Sequence, residues 1–487
     1  MKTPYTVAMI KPAIVSAPRL YEQTADKVGV LIERGTLRPG ERVPSVRRLS
    51  RQHGISVSTV LQAYMLLENR GLIEARPQSG YYVRPRLQAL PPEPAMTEPP
   101  SGASRVSVDD LVARVMKAMR DPDIVPLGAG GPDPALFPNE KLHRVLAMVA
   151  RRAGASANTY DVPPGSIELR RQIARRSLDW GCSLSSEEFV TTNGCMEALN
   201  VCLRAVAKPG DTIAVESPAF FGMLQAVESL GMKTLEISSY PRDGMCLDAL
   251  DHATRRHKIA AVVVNLNFQN PLGSCMPDEK KKALVELLAR KEIPLIEDDL
   301  FGDLYFGQQR PKTARAFDKK GLVLLCGSVS KTLAPGFRVG WTAPGRFQTQ
   351  VERLKHATSC ASPVLTQLAI AEFLKNGGYE HYVRRIRRAY AQQVQTIGEA
   401  IGRYFPAGTK VTRPQGGFLL WVEFPKWVNA LELHRQALAQ NISICPGPMF
   451  SPKQSYKNFI RINCGHPWSE RIEKALVTIG RLAEKQR

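Results

Sequence analysis

Residues 327–340 read Gly-Ser-Val-Ser-Lys-Thr-Leu-Ala-Pro-Gly-Phe-Arg-Val-Gly. The apolar residues 322–326 come directly before them, and a short apolar run of this kind indicates a buried strand. Lys331 then lies just past the carboxyl end of that strand, where burial would lower the pKa of its amine and make it nucleophilic. Such an amine is suited to a Schiff base with an aldehyde cofactor. The two serines, Ser328 and Ser330, and Arg338 would suit the phosphate of that cofactor, because the arginine fork donates two hydrogen bonds.

Two further strands bear on this interpretation, since Ser-x-Ser-Lys alone also fits an ordinary surface turn. Residues 263–273 predict a strand that runs into an Asn270-Pro271 turn, and residues 294–299 predict a second apolar strand that ends at Asp298. The carboxyl ends of parallel strands meet at one edge of an open α/β sheet, where such sheets bind ligands. We therefore expect Asn270, Asp298 and Lys331 to surround one ligand site.

The order and wording of these motifs resemble the fold-type I pyridoxal-phosphate (PLP) enzymes, the aspartate aminotransferase superfamily, over residues 106–487. The resemblance implies an α/β fold, with a mainly parallel sheet in a large subdomain and a smaller α+β subdomain. It implies PLP as cofactor and Lys331 as the catalytic lysine. It also implies that Asp298 pairs with the pyridinium nitrogen and that Asn270 donates a hydrogen bond to the phenolic oxygen.

A phosphate site is predicted where residues 189–199 form a strand, a glycine turn and the start of a helix. Backbone N–H groups at a helix N-terminus are free, and the helix dipole favours an anion there. We therefore expect the cofactor phosphate at Gly194, Cys195 and Met196, with help from Ser328 and Arg338.

The resemblance adds four residues. Phe220 would stack on the pyridine ring, although it also fits a core position. Tyr160 would reach the phosphate of a neighbouring subunit, or else pack in a turn. Gly130 belongs to a glycine loop that would lie over the substrate. Arg461, within an otherwise apolar strand, would clamp the α-carboxylate of an amino acid.

One position departs from the enzyme pattern. Most aminotransferases have a tyrosine three residues beyond the aspartate, and this chain has Phe301 there. Phenylalanine donates no hydrogen bond, so Asn270 would be the main donor to the phenolic oxygen. Cofactor binding survives such a loss more easily than turnover does.

Composition limits the class of protein. The 487 residues are enough for two or three domains, and 44% hydrophobic with 23% charged residues describes a soluble globular protein. The nine scattered cysteines predict reduced thiols, no structural zinc and a cytoplasmic location, and we find neither a signal peptide nor a membrane span. The formal net charge is +21, and residues 1–86 carry 14 Lys/Arg against 6 Asp/Glu. A basic excess in one short segment favours a polyanionic partner.

That segment has the pattern of a winged helix-turn-helix. Hydrophobic spacing predicts a first helix over residues 20–33, a second over 46–53 after the N-cap Ser45, and a third from Ser56 or Ser58 to about residue 69. A small hairpin, or wing, is predicted around the turn at residues 77–80.

Residues 43–50, 58–60, 64–68 and 71–74 closely resemble the GntR-type DNA-binding domain, although a protein-docking winged helix remains an alternative. By this resemblance the DNA-facing residues are Arg47, Ser56, Ser58 and Thr59 in the helices and Ser79 and Gly80 at the wing tip. Val57 departs from the family, which usually has a basic residue there.

The predicted organisation is a GntR-type domain over residues 15–86, a Pro-rich extended linker over 87–105, able to span about 50 Å, and a PLP domain over 106–487. This arrangement resembles the MocR subgroup of GntR regulators. The first hypothesis is a homodimeric transcription regulator that binds double-stranded operator DNA and senses PLP, or an amino acid or amine that reacts with bound PLP. The second is an active aminotransferase with a DNA-binding head. The third, an empty enzyme fold, fits poorly with the intact set of site residues.

Overall fold

A computed structural model of the chain describes residues 20–33, 36–37, 40–69, 72–76, 79–83, 90–118, 121, 123–376 and 378–487. The chain divides into two compact units, Met1–Ala89 and Leu90–Arg487. Two parts of the predicted wing, residues 77–78 of its turn and residue 84 at its end, lie outside the described residues.

The smaller unit contains three helices, α1 (Leu20–Glu33), α2 (Val46–His53) and α3 (Val57–Asn69), as predicted. Helix α2 begins where the Ser45 side chain accepts a hydrogen bond from the Arg48 N–H, and it ends at Gly54 with a φ of 63°. A side-chain cap and a left-handed glycine are the usual signals for the two ends of a helix. Val60, Tyr64 and Leu67 of α3 are fully buried against α1, as their spacing predicts.

The wing is an antiparallel hairpin of β1 (Ile73–Arg76) and β2 (Gly80–Val83). Ile73 and Val83 at its base are buried in the same core as the helices. The hairpin is therefore fixed at its base.

The larger unit is built on a mainly parallel sheet with the strand order β3-β6-β5-β8-β9-β10-β11-β4. Its strands are β3 (Ser104–Arg105), β4 (Val190–Thr192), β5 (Thr212–Ser217), β6 (Lys233–Tyr240), β7 (Gly244–Met245), which pairs with β6, β8 (Ile259–Val264), β9 (Leu295–Asp298), β10 (Val323–Ser328) and β11 (Gly340–Ala343). Helices in this part of the chain are α4 (Asp109–Ala118), α5 (Asn139–Ala153), α6 (Ile167–Ser177), α7 (Cys195–Val206), α8 (Phe221–Ser229), α9 (Leu247–Arg256), α10 (Asp278–Arg290), α11 (Gln348–Ser359) and α12 (Val364–Lys375).

The central strands β8, β9 and β10 are parallel neighbours in that order. All three are almost entirely buried, β8 and β10 are mainly apolar, and β9 ends in the buried carboxylates Glu297 and Asp298. Continuous burial is the pattern of a strand covered on both faces by helices. Their carboxyl ends therefore lie side by side, as the ligand-site prediction requires.

A smaller antiparallel sheet, ordered β12-β13-β15-β14, forms the C-terminal subdomain. Its strands are β12 (Lys410–Val411), β13 (Leu419–Glu423), β14 (Cys445–Pro446) and β15 (Phe459–Asn463), and its helices are α14 (Ala430–Leu438) and α15 (Glu470–Glu484), with α13 (Gly378–Tyr404) leading into it. The predicted α+β subdomain is thus confirmed. Arg384, Arg385 and Arg388 of α13 are exposed. Separately, no helix among the described residues is long and apolar enough to cross a membrane.

Residues 90–105, which we call the strap, are the described part of the predicted semi-rigid linker, and its residues 87–89 lie outside the described residues. The strap is hydrogen-bonded to the rest of the larger unit. The Val411 N–H donates to the main-chain oxygen of Pro92 at 2.9 Å, and the Thr97 hydroxyl donates to that of Ser217 at 2.7 Å. Lys453 Nζ lies 3.1–3.5 Å from the main-chain oxygens of residues 100–102. Composition carries no information about the surface that binds the strap.

Candidate cofactor site and DNA-binding surface

A cavity of about 320 Å³ lies in the larger unit at the carboxyl ends of β8, β9 and β10. Eight residues predicted for the cofactor or effector line it: Gly130, Cys195, Met196, Phe220, Asn270, Asp298, Lys331 and Arg338. They come from separate loops, so the fold brings together groups that are up to 208 positions apart in sequence.

Lys331 follows β10 by three residues, and its Nζ donates a hydrogen bond to the Gly130 main-chain oxygen at 2.6 Å. Burial, together with the nearby positive charge of Arg461, lowers the pKa of Lys331 to about 8. A substantial part of this amine is therefore neutral near physiological pH, as a nucleophile requires.

Asp298 is the last residue of β9, and its Oδ1 accepts hydrogen bonds from the Leu300 N–H at 3.2 Å and the Cys195 thiol at 3.3 Å. Burial raises the pKa of this carboxyl to about 6. Asp298 thus remains mostly ionised at neutral pH, and a buried carboxylate of this kind favours a cationic partner.

The N-terminus of α7 provides an anion cradle. Gly194, the N-cap, has a φ of 85°, and a Cβ at this position would collide with the guanidinium of Arg338. Arg338 Nη2 donates to the Asn193 main-chain oxygen at 3.0 Å, which holds the guanidinium over the first turn of the helix. Free N–H groups and a guanidinium converge here, and this is the donor set that a phosphate requires.

The two serines of the Ser-x-Ser-Lys motif do not occupy equivalent positions, because Ser330 lines the cavity and the predicted Ser328 does not. The Ser328 hydroxyl accepts from the Ser330 N–H at 2.9 Å and contacts the Ser330 hydroxyl at 2.7 Å, whereas Ser330 lines the cavity. Arg338 Nη1 donates to the Ser330 hydroxyl at 3.5 Å. Ser330 is therefore the serine that faces the cavity, and Ser328 supports it from behind. The spacing of the motif does not show which of the two serines points inward.

Arg461 lies on β15 and is fully buried, beside the rings of Phe221 and Phe450. Its Nη1 donates to Asn270 Oδ1 at 3.1 Å and its Nη2 to the Gly128 main-chain oxygen at 2.8 Å. Its Nε has no hydrogen-bond partner among the described residues, and burial lowers its pKa. A buried guanidinium without a carboxylate partner in this part of the chain favours an anionic ligand group.

Two phenylalanines, Phe220 and Phe301, line the cavity. Phe220 immediately precedes α8 and packs against Phe221 at a ring-centroid distance of 4.8 Å. Phe301 is 2% exposed and contacts the edge of Phe418 at 5.5 Å. Tyr305 packs instead beneath the guanidinium of Arg387, 3.7 Å from its ring centroid, and it does not line the cavity.

Tyr160 is 81% exposed and lies outside this cavity. It lines a separate open cleft of about 590 Å³ together with Asn193 and Arg338. Within one chain, Tyr160 therefore borders the outer side of the phosphate cradle rather than its interior.

The predicted DNA-facing residues of the smaller unit lie at the surface. Arg47 is exposed on α2, and Ser56 and Ser58 are exposed at the start of α3. The Ser56 hydroxyl accepts from the Thr59 N–H at 3.1 Å and contacts the hydroxyls of Ser58 and Thr59 at 2.8 and 2.7 Å. Ser56 is thus the N-terminal cap of α3, one of the two starts predicted for this helix.

The wing tip carries a basic residue that sequence reasoning missed. The Ser79 hydroxyl contacts the Tyr82 hydroxyl at 2.6 Å, and Gly80 has a φ of 103°. A Cβ at Gly80 would lie 3.2 Å from the guanidinium of the exposed Arg42. Arg42 is 38 positions upstream, so only the pairing of its segment with β2 brings it to the tip.

Comparisons with known protein families assign a family to each of the two units. Residues 122–479 match the aminotransferase class I and II family, and residues 20–83 match the gntR family of bacterial regulatory proteins. The fold and site thus define a winged helix-turn-helix protein fused to a fold-type I aminotransferase-like unit.

Relatives with the same organisation narrow this class. The HTH-type transcriptional regulators YdcR and YjiR of Escherichia coli K12, both described as uncharacterized, are each 40% identical to this chain, covering 96% and 94% of it and 99% and 98% of their own lengths. Among solved structures, the α-aminoadipate aminotransferase LysN of Thermus thermophilus, complexed with N-(5'-phosphopyridoxyl)-L-leucine, superposes with a TM-score of 0.71 and 27% identity over 78% of this chain and 99% of its own. The chain belongs to the MocR subgroup of the GntR family of transcription regulators.

Proposed function

We propose that this regulator holds PLP in the cavity around Lys331 and that binding of an amino acid or amine at the same site controls its binding to double-stranded operator DNA. The observation that carries the proposal is the convergence of Lys331, Asp298 and Arg338 on one cavity in a chain that also contains a winged helix. An amine, an acid and a guanidinium on a helix N-terminus match the aldehyde, the pyridine nitrogen and the phosphate of PLP.

PLP, when bound, supplies an aldehyde and an electron-withdrawing ring. Lys331 would hold it covalently, Asp298 would keep the ring nitrogen protonated, and Asn270 would donate to the phenolic oxygen. Phe220 would lie on the ring face. The phosphate would lie on the first turn of α7, at Gly194, Cys195 and Met196, against Ser330 and Arg338.

The amino-acid part of the proposal is supported by Arg461. Its buried guanidinium offers Nε to a carboxylate, and Asn270 and Gly128 already orient it. A ligand that pairs its carboxylate with Arg461 and brings its amine to Lys331 would contact both subdomains, since Arg461 lies on β15 and Lys331 follows β10.

Phe301 favours a sensor over an efficient enzyme. Its buried ring offers no hydrogen bond to the phenolic oxygen, and Tyr305 is engaged elsewhere. Active transamination remains the second candidate, because Lys331 and Arg461 are also what an enzyme needs.

The proposed assembly is a homodimer, in which Tyr160 extends toward the phosphate of the partner subunit. Its 81% exposure beside the cleft bordered by Arg338 supports this role. A buried tyrosine would have argued against it.

A titration tests the proposed function. The purified protein is saturated with PLP, and its visible absorption band is followed during addition of L-leucine, L-glutamate, L-lysine or 4-aminobutyrate, with keto-acid formation assayed in parallel. We expect at least one compound to shift the band without sustained keto-acid release. Sustained turnover would support the aminotransferase instead, and a protein that acquires no band with PLP would contradict the proposal.

A further inference from the structure

Asn265 lies one residue after β8 in the lining of the cofactor cavity and is 5% exposed. Its side-chain nitrogen donates a hydrogen bond to the main-chain oxygen of Asp298. Its side-chain oxygen accepts a hydrogen bond from the main-chain N–H of Asn270 at 3.1 Å. One amide group thus contacts the two residues that are proposed to flank the cofactor ring on its nitrogen and oxygen sides.

We propose that Asn265 is a positioning residue that sets the separation between Asp298 and Asn270 and thereby the protonation behaviour of bound PLP. This inference rests on the proposed function of the same site. Asp298 ends β9, whereas Asn270 lies in the loop after β8, so no shared secondary structure fixes their spacing. Removing the amide would leave a buried acceptor and a buried donor without a partner and would release both residues together.

Glu216 holds Asn265 in turn. Its Oε2 accepts a hydrogen bond from the Asn265 main-chain N–H at 2.8 Å, and the residue is 1% exposed. Burial raises the pKa of the Glu216 carboxyl to about 8, so this carboxyl is mostly neutral at pH 7. It therefore supports Asn265 without placing a second negative charge close to Asp298.

Asn267 provides a matched control two positions along the chain. It is as buried as Asn265, and its side chain is also hydrogen-bonded on both sides, donating to Asp299 Oδ1 at 2.8 Å and accepting from Lys281 Nζ at 2.8 Å. It does not line the cavity and makes no contact with Asp298 or Asn270 in these hydrogen bonds. A merely structural asparagine should behave like Asn267.

The test compares Asn265→Asp, which keeps the shape but replaces the donor by an oxygen, with Asn267→Asp in the full-length protein. Three quantities are measured: the PLP dissociation constant, the pH midpoint of the visible band and the melting temperature. Asn265→Asp should raise the dissociation constant at least ten-fold and move the pH midpoint by about one unit. Asn267→Asp should lower the melting temperature and leave the pH midpoint unchanged. Asn265→Ser, which keeps a short donor, serves if the aspartate variant does not fold, and it should give smaller shifts in the same direction.

The inference is overturned if the Asn265 variants keep the parent midpoint and PLP affinity, or if Asn267→Asp moves the midpoint equally. Failure of the proposed function looks different, because the parent protein itself would then acquire no PLP band.

Discussion

The amine of Lys331 should react at a lower pH than an ordinary lysine. Burial and the charge of Arg461 lower its pKa to about 8 from an ordinary value near 10.5. Below pH 8 the amine is mostly protonated and cannot attack an aldehyde, whereas above pH 8 it is free. We predict that the rate at which the cofactor-free protein captures PLP in a borohydride-reducible form rises with pH through a midpoint near 8.

Lys331→Ala should give no such capture at any pH, whereas Lys474→Ala, at an exposed position on α15, should match the parent. A midpoint near 10, or a reducible band in Lys331→Ala, would contradict the role given to this lysine.

Arg47 is the residue whose side chain we expect to contribute to DNA binding. It is exposed on α2, which packs against α3. We predict that Arg47→Ala weakens binding to a duplex selected by the parent protein from a random pool by about 1–3 kcal/mol. The measurement is a binding isotherm at several salt concentrations, because phosphate contacts weaken with salt. Arg481→Ala, exposed in the other unit, is the control, and equal affinity of Arg47→Ala and the parent at every salt concentration would rule out this surface.

At the scale of single elements, the first turn of α7 depends on Gly194. Alanine at this position would be strained by the φ of 85° and would also displace Arg338. Gly210 has a φ of 89° but no atom within 4 Å of its Cβ position. We predict that Gly194→Ala and Gly210→Ala both lose about 1–3 kcal/mol of stability, because alanine is strained at a positive φ. Only Gly194→Ala should also weaken PLP binding, by ten-fold or more. The measurements are denaturant unfolding and PLP titration, and parallel losses of affinity in both variants would contradict the anion cradle.

The strap makes a second element-level prediction. Lys453 reaches three successive main-chain oxygens at residues 100–102. Lys453→Met should release this part of the strap, and limited proteolysis should cut between residues 93 and 103 about five-fold faster, as expected for the loss of about 1 kcal/mol of local stability. Lys457→Met, at another exposed lysine of the same loop, should be cut at the parent rate. Unchanged cleavage in Lys453→Met would show that these hydrogen bonds do not hold the strap.

The elements themselves follow largely from sequence pattern. Buried strands such as β8 and β10 are continuous apolar runs, and α2 carries its own N-cap and terminal glycine, so local chemistry fixes both. Contacts that form only when the chain has folded cannot be predicted from the local sequence pattern. The approach of Arg42 to Gly80 and the docking of the strap depend on partners distant in sequence. The inward position of Ser330 and the cap at Ser56 involve neighbours within eight positions, but the residue spacing does not show which of two nearby serines takes each place.

At the scale of the whole molecule, the strap connects the two subdomains. Pro92 is bound to Val411 of the smaller sheet, Thr97 to Ser217 of the larger sheet, and the DNA-binding unit precedes Leu90 in the chain. A ligand that joins Arg461 to Lys331 would favour one arrangement of the subdomains by its differential affinity, and only by that amount. We therefore expect effector and DNA binding to be linked through this segment, with a coupling free energy of about 1–3 kcal/mol.

Linkage is reciprocal, and this gives the most direct test of the central claim that one site controls the other. The affinity of PLP-loaded protein for the amino acid that most strongly shifts its visible band is measured with and without saturating selected duplex, and DNA affinity is measured with and without that amino acid. The account predicts that the two affinities change by the same factor, about 5- to 150-fold. Superimposable amino-acid titrations with and without DNA would contradict it.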